Sequence, residues 1–205
     1  MSLKSHWEEV YGSKNDSDMS WYQPLAENSI RLIEKAALDR GAKIIDVGGG
    51  NSVLVKDLMT KGYRSLTVLD ISQTAIDRSK VQLGLSSRRV EWLVGDIREI
   101  LLEKAEYDIW HDRAVFHFFN EETDRKAYLS QLNLAVKTSG FLVIAAFCLA
   151  GPEKCSGLPV RRYDPELLAK ELGKNFQLLE SIQEPHHTPW GSEQCFVYAL
   201  FRKVA

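Results

Sequence analysis

The residues best suited to chemistry cluster in Asp46-Val47-Gly48-Gly49-Gly50-Asn51-Ser52, at the end of the apolar run that begins at Lys43. Glycines in such a turn permit positive φ and let a ligand approach the backbone closely. Alone, the cluster reads equally well as a tight turn before a helix. Two further carboxylates add to it. Asp70 lies 20 residues beyond Gly50 and ends a second β-type run, a separation that lets an acid accept hydrogen bonds from both hydroxyls of a ribose. Gly95-Asp96-Ile97 ends a third run, where a carboxylate can accept from an adenine amino group. The dinucleotide pattern GxGxxG would need glycine at Val53. Asp46 would also repel a pyrophosphate, whereas it suits an ammonium.

Ammonium, ribose diol and adenine without phosphate are the features of S-adenosylmethionine, the expected cofactor, with S-adenosylhomocysteine as its product. The elements that must hold these residues alternate along the chain. Strands are expected over Lys43–Val47, Leu66–Leu69, Arg89–Val94, Tyr107–His111, Phe141–Phe147, Phe176–Ile182 and Gln194–Arg202. Most are apolar on both faces, as buried parallel strands are. Helices fit over Ser29–Asp39, Ser52–Lys61, Gln73–Leu83, Glu121–Val136 and Pro165–Leu172, the last with Asp164 as N-cap, Pro165 at its first position and Gly173 past its end. The segment Gln183–Glu193 has no helical pattern, so the final strand should run antiparallel. The expectation is an α/β fold, a Rossmann-like three-layer sandwich whose seven-stranded, mostly parallel sheet has one antiparallel strand. Residues 1–205 read as one domain, with 1–40 a helical leader or lid and 41–205 the core.

With these residues in hand, the chain resembles the class I, seven-stranded S-adenosylmethionine-dependent methyltransferases over essentially its whole length. Asp46–Ser52 resembles their first motif, with Ser52 where a third glycine is common. Trp7-Glu8-Glu9-Val10-Tyr11, Ser20-Trp21-Tyr22, Gly49–Leu54 and Gly62–Ser72 are similar to protein-lysine methyltransferases that modify translation factors. Those enzymes tend to read Asp-Lys-Gly-Thr-hydrophobic-Asp after the fourth strand, where this chain reads Asp112-Arg113-Ala114-Val115-Phe116-His117. Bacterial methyltransferases of unassigned acceptor are an equally good likeness. The resemblance implies cofactor contacts from Trp21, Tyr22, Asp46, Gly48, Gly49, Gly50, Asn51, Asp70, Ile71, Gly95, Asp96, Ile97, Asp112 and Arg113.

The acceptor should lie over loops that follow the later strands. His117 and His187 are the candidate bases, and Phe116, His117, Arg161, His186 and Trp190 the candidate substrate contacts. Each has a plainer reading: His117 as a buttress for the next helix, Trp190 packed on the sheet, Arg161-Arg162 as a solvated pair and Cys155 as a loop thiol. His186-His187 lacks nearby ligands to complete a metal site, so no metal is expected. The acceptor itself reads as a small molecule, or alternatively a protein lysine; a non-catalytic binding protein is a third possibility.

Composition narrows the class further. A formal charge of -2 gives no reason to expect nucleic acid. The longest apolar run, Phe141–Ala150, is about half of the roughly 20 residues a spanning helix needs, and the first residues have early charges, unlike a secretory signal. Three cysteines without CxxC spacing argue against a disulfide framework and for a reducing cytoplasm. A monomer or homodimer is expected.

Overall fold

The structure, a computed structural model, describes residues 2–37 and 39–205. Strand β1 (Lys43–Val47) is buried at every position after the first, because it lies at the sheet's centre between parallel neighbours β2 (Ser65–Asp70) and β4 (Tyr107–Arg113). With β3 (Val90–Val94), β5 (Val136–Phe147), β8 (Phe176–His187) and β9 (Glu193–Lys203), the order is β3-β2-β1-β4-β5-β9-β8. The order reverses between β1 and β4, which opens a crevice beyond their carboxyl ends. Strand β9 is antiparallel to both β5 and β8, as expected where five residues, too few for a crossover, join two strands.

Helices cover both faces. On one, Leu32 and Ile33 of α2 (Glu27–Ala36), Leu54 and Leu58 of α3 (Leu54–Thr60) and Ile76 of α4 (Gln73–Leu83) pack on Ile44 and Val68. On the other, Tyr128 and Leu132 of α5 (Glu122–Ala135) and Leu168 of α6 (Pro165–Leu172) pack on Ile45, Val47 and Trp110. Helix α6 begins as its sequence dictates: Asp164 accepts from the Leu167 N–H at 2.7 Å, and Pro165 occupies the first turn.

The differences lie at the edges. The second helix starts earlier than expected, at Glu27, and ends at Ala36; residue 38, inside the expected range, lies outside the described residues. Strand β5 begins five residues early, and β8 runs on to His187 instead of yielding to a long connection. The leader forms helix α1 (Leu3–Ser13), and the loop after β5 holds a small hairpin, β6 (Lys154–Cys155) and β7 (Leu158–Pro159).

The cysteine reading needs correction. Cys148 and Cys195 form a disulfide, with Cα atoms 5.4 Å apart. Cross-strand register brings them together: Phe147 pairs with Phe196, and the next residues outward are these two cysteines. Sequence spacing does not reveal such a pairing, and the argument for a reducing compartment loses its basis. Among the described residues no helix is long and apolar enough to cross a membrane.

Candidate cofactor and acceptor site

A cleft lies beyond the carboxyl ends of β1, β2, β3 and β4 and is roofed by the leader. It has two compartments, both lined by Gly48, Arg113, Tyr11 and Trp21. The larger holds about 770 Å³ of empty space, its open mouth included.

In the smaller compartment Asp46 Oδ1 meets His111 Nδ1 at 2.7 Å, and His111 Nε2 meets Ser29 Oγ at 2.8 Å. Buried carboxylates are normally satisfied at both oxygens, yet Asp46 Oδ2 is sealed from water with no partner. Arg113 donates from Nε to the Tyr198 hydroxyl at 2.8 Å and from Nη1 to the Trp21 carbonyl at 2.9 Å, while its guanidinium lies 4.4 Å over the Phe196 ring. Its Nη2 is buried and unpartnered. One anion and one cation thus each keep a free hydrogen-bonding position in the walls of one compartment. That is the complement of an α-amino acid zwitterion, the end of S-adenosylmethionine that carries ammonium and carboxylate.

The glycines follow from how near those acids lie. A Cβ on Gly49 would sit 2.2 Å from Asp46 Oδ2, and one on Gly50 would sit 2.6 Å from Asp70 Oδ2. Gly48 has φ +70°, and a Cβ there would strike Val115 at 2.1 Å. Ser52 is no defect in the motif, since its Oγ accepts from the Leu54 N–H at 3.0 Å at the start of α3.

The larger compartment holds Asp70, Ile71, Gly95, Asp96 and Ile97, the set expected for the nucleoside. Asp70 accepts from Gly50 N–H at 3.0 Å and Ser72 N–H at 2.8 Å, leaving further lone pairs on both oxygens. Burial nevertheless pushes its carboxyl up to about 6 against those two bonds. Asp96 is held by Arg98, with Nε at 2.9 Å from Oδ1 and Nη2 at 2.5 Å from Oδ2. Burial raises its pKa, but the Arg98 contacts outweigh that and hold it below the usual carboxylate range. Asn51, Tyr22 and Trp21 border the smaller compartment.

Several expected site residues lie elsewhere. Alternation along β4 sends His111 and Arg113 towards the cleft and Asp112 to the opposite face. There Asp112 accepts from the Val115 and Phe116 N–H groups at 2.9 and 3.1 Å and from the Tyr128 hydroxyl at 2.6 Å, so it organises the turn after β4 and does not line the cleft. Phe116 is buried among Tyr128, Phe119 and Tyr163. His117 is wholly buried behind Phe118 and against Phe147, with neither ring nitrogen partnered; burial, helped by Arg113, drives its pKa down to about 3. Arg161 pairs with Glu171 at 3.0 Å. His186 meets the Ser20 carbonyl at 2.7 Å, tying the leader down. His187 and Trp190 are exposed at the β8–β9 hairpin tip, outside both compartments. Cys155 does line the cleft, and burial pushes its thiol up to about 11. No group of three metal-ligating side chains occurs among the described residues.

What the expected set lacked is the wall formed by the leader. Leu3, Trp7 and Tyr11 repeat every four residues on one face of α1 and line the larger compartment with Trp21 and Phe118. Ring centroids lie 5.7 Å apart for Trp7–Trp21, 5.2 Å for Trp7–Phe118 and 6.1 Å for Tyr11–Trp21. The spacing was visible, but an aromatic stripe at helical period usually marks a core.

Comparison with known proteins bears on the domain and the fold. A methyltransferase-domain family model matches residues 44–140. Human EEF1A lysine methyltransferase 2 is 25% identical over 221 aligned positions, covering 100% of this chain and 87% of the human protein. Its zebrafish (Danio rerio) counterpart is 23% identical over 71% of this chain and 69% of its own. Among solved structures, Burkholderia thailandensis 1,6-didemethyltoxoflavin-N1-methyltransferase, with bound 1,6-didemethyltoxoflavin and S-adenosylhomocysteine, superposes with a TM-score of 0.73 at 18% identity, covering 99% of this chain and 88% of that one. A methyltransferase from Anabaena variabilis gives 0.75 at 13% identity, covering 99% and 96%. The chain is an S-adenosylmethionine-dependent methyltransferase built on a seven-stranded sheet with one antiparallel strand. The human and zebrafish relatives are both named as lysine methyltransferases.

Proposed function

We propose that this methyltransferase acts on a primary amine at the end of a slim alkyl chain, a protein lysine being the case its relatives favour. The observation that carries this is the aromatic wall of Trp7, Tyr11, Trp21 and Phe118, in the same compartment as the nucleoside residues Asp70 and Gly95–Ile97, so that an acceptor against it would lie beside the cofactor. Aromatic faces attract alkylammonium groups by cation–π interaction and accommodate the apolar stem. A human relative alike over the whole of this chain is named for lysine methylation. A second reading, a small-molecule acceptor, draws on the leader helix closing over the cleft, which leaves little room for a folded partner.

Bound S-adenosylmethionine supplies an electrophilic methyl on a positively charged sulfur. In this reading Asp46 Oδ2 would hold its ammonium and Arg113 Nη2 its carboxylate, while Asp70 would take the ribose and Gly95–Ile97 the adenine. The chain's remaining work is alignment and exclusion of water. His117 and Cys155 are poor bases where they stand, the first sealed and the second held as a thiol. The amine therefore gives up its proton to solvent before attack, and turnover rises with pH towards the acceptor's own pKa. Tritium-labelled cofactor incubated with a cell extract should label the protein fraction on lysine. Label confined to small molecules would replace this reading with the second, and no transfer would favour a binding protein without turnover.

A further inference from the structure

The structure assigns Glu8 as the latch that fastens the leader helix over the bound cofactor, so that its release gates cofactor exchange. This rests on the cofactor assignment and not on the acceptor. Helix α4 begins at Gln73 with backbone N–H groups that have no partner within the helix. Glu8, 65 residues earlier, supplies the acceptors: Oε1 takes the Gln73 N–H at 2.7 Å, and Oε2 takes the Thr74 N–H at 3.2 Å and the Ser72 hydroxyl at 3.0 Å. A carboxylate at a helix N-terminus is also favoured by the helix dipole. Burial raises the Glu8 pKa, but the bonds from Thr74, Gln73 and Ser72 outweigh it and hold the group below its usual range, so it is ionised at neutral pH.

Two connections make this more than a helix cap. First, Glu8 follows Trp7 on α1, the helix whose Leu3, Trp7 and Tyr11 wall the larger compartment; where Glu8 is anchored fixes where those side chains stand. Second, Ser72 donates its own N–H to Asp70 Oδ1 at 2.8 Å, and Asp70 Oδ2 accepts from Gly50 N–H. A continuous hydrogen-bonded chain thus runs from the leader through Ser72 and the nucleoside acid to the glycine turn. A cofactor lying under α1 leaves more slowly while that helix is fastened.

The test is the dissociation rate of S-adenosylhomocysteine, followed by stopped-flow fluorescence, alongside hydrogen exchange across residues 3–13. Glu8→Ala should release the ligand about tenfold faster or more, as losing charge-assisted hydrogen bonds implies, and should exchange faster in α1 with α5 unchanged. Glu8→Gln, which retains a carbonyl acceptor, should fall between and serves if the alanine variant does not fold. A purely structural role would lower the melting temperature without changing the dissociation rate. Wild-type release rates in both variants would overturn the latch. A wild-type protein that bound no S-adenosylhomocysteine would overturn the cofactor assignment and the latch with it, even if α1 loosened as described.

Discussion

At Ala114 the backbone has φ +68°, a region that costs a residue with a Cβ roughly 1–2 kcal/mol. The residue lines the cleft just after β4, at the position where the lysine-methyltransferase pattern has glycine. Ala114→Gly should therefore be stabilising by about 0.5–1 kcal/mol, once the greater chain entropy of glycine is subtracted; urea unfolding measures it, and a loss of 1 kcal/mol would remove the strain argument. His117 offers a second case. A buried imidazole with both nitrogens unpartnered is costly, so His117→Leu should hold or raise stability and leave the pH dependence of turnover unchanged. For Asp46 the expected effect is on binding. Asp46→Asn should weaken S-adenosylhomocysteine about 10- to 100-fold while leaving adenosine, which lacks the amino-acid end, nearly unaffected in calorimetry. The sequence made Asp46, Asp70 and the glycines legible because their chemistry is local to strand ends. It could not separate Asp112 from Arg113, since which side chain faces the cleft depends on the pleat of β4.

Among the elements, the turn after β4 has a pH signature. Burial pushes the Asp112 carboxyl up to about 6 despite the Tyr128, Val115 and Phe116 bonds, from an ordinary value of 3.8. The folded chain then holds a proton between those two values that the unfolded chain has lost, so stability falls as pH rises through this window and levels above it. Asp112→Asn should reduce the decline in unfolding free energy between about pH 4 and 6, the remainder belonging to Asp70, whose carboxyl burial also raises to about 6, and an unchanged slope would mean that Asp112 is not a source of it. Strands and helices of the core were readable from apolar runs and caps, and β1 falls on its expected range. The leader reads as helical, but its bounds Leu3–Ser13 and the face it turns to the cleft do not follow from its sequence, because a four-residue stripe of Leu3, Trp7 and Tyr11 serves a core as well as a cleft. The β8–β9 hairpin was cut short because β8 alternates half-buried and exposed positions and carries few strongly apolar residues.

For the whole molecule, ligand and covalent linkage set the stability. Saturation at 100 times the dissociation constant should add about 2.7 kcal/mol, so S-adenosylhomocysteine should raise the melting temperature while a dinucleotide such as NAD should not. The Cys148–Cys195 bond closes a span of 47 residues that includes the cleft-lining Cys155. Its reduction should cost about 4 kcal/mol in the chain-entropy account, read as a lower melting temperature in reductant that a Cys148→Ser variant no longer shows. The disulfide was not legible in composition, because it depends on which distant segments the sheet brings together. The distribution of tryptophans has a practical consequence. Of the five, Trp110 is sealed in the core and Trp190 stands in solvent, whereas Trp7 and Trp21 line the cleft. Their emission should respond to whatever enters between them. The chain can thus be screened against candidate acceptors by its own fluorescence, with S-adenosylhomocysteine bound, before any product is known.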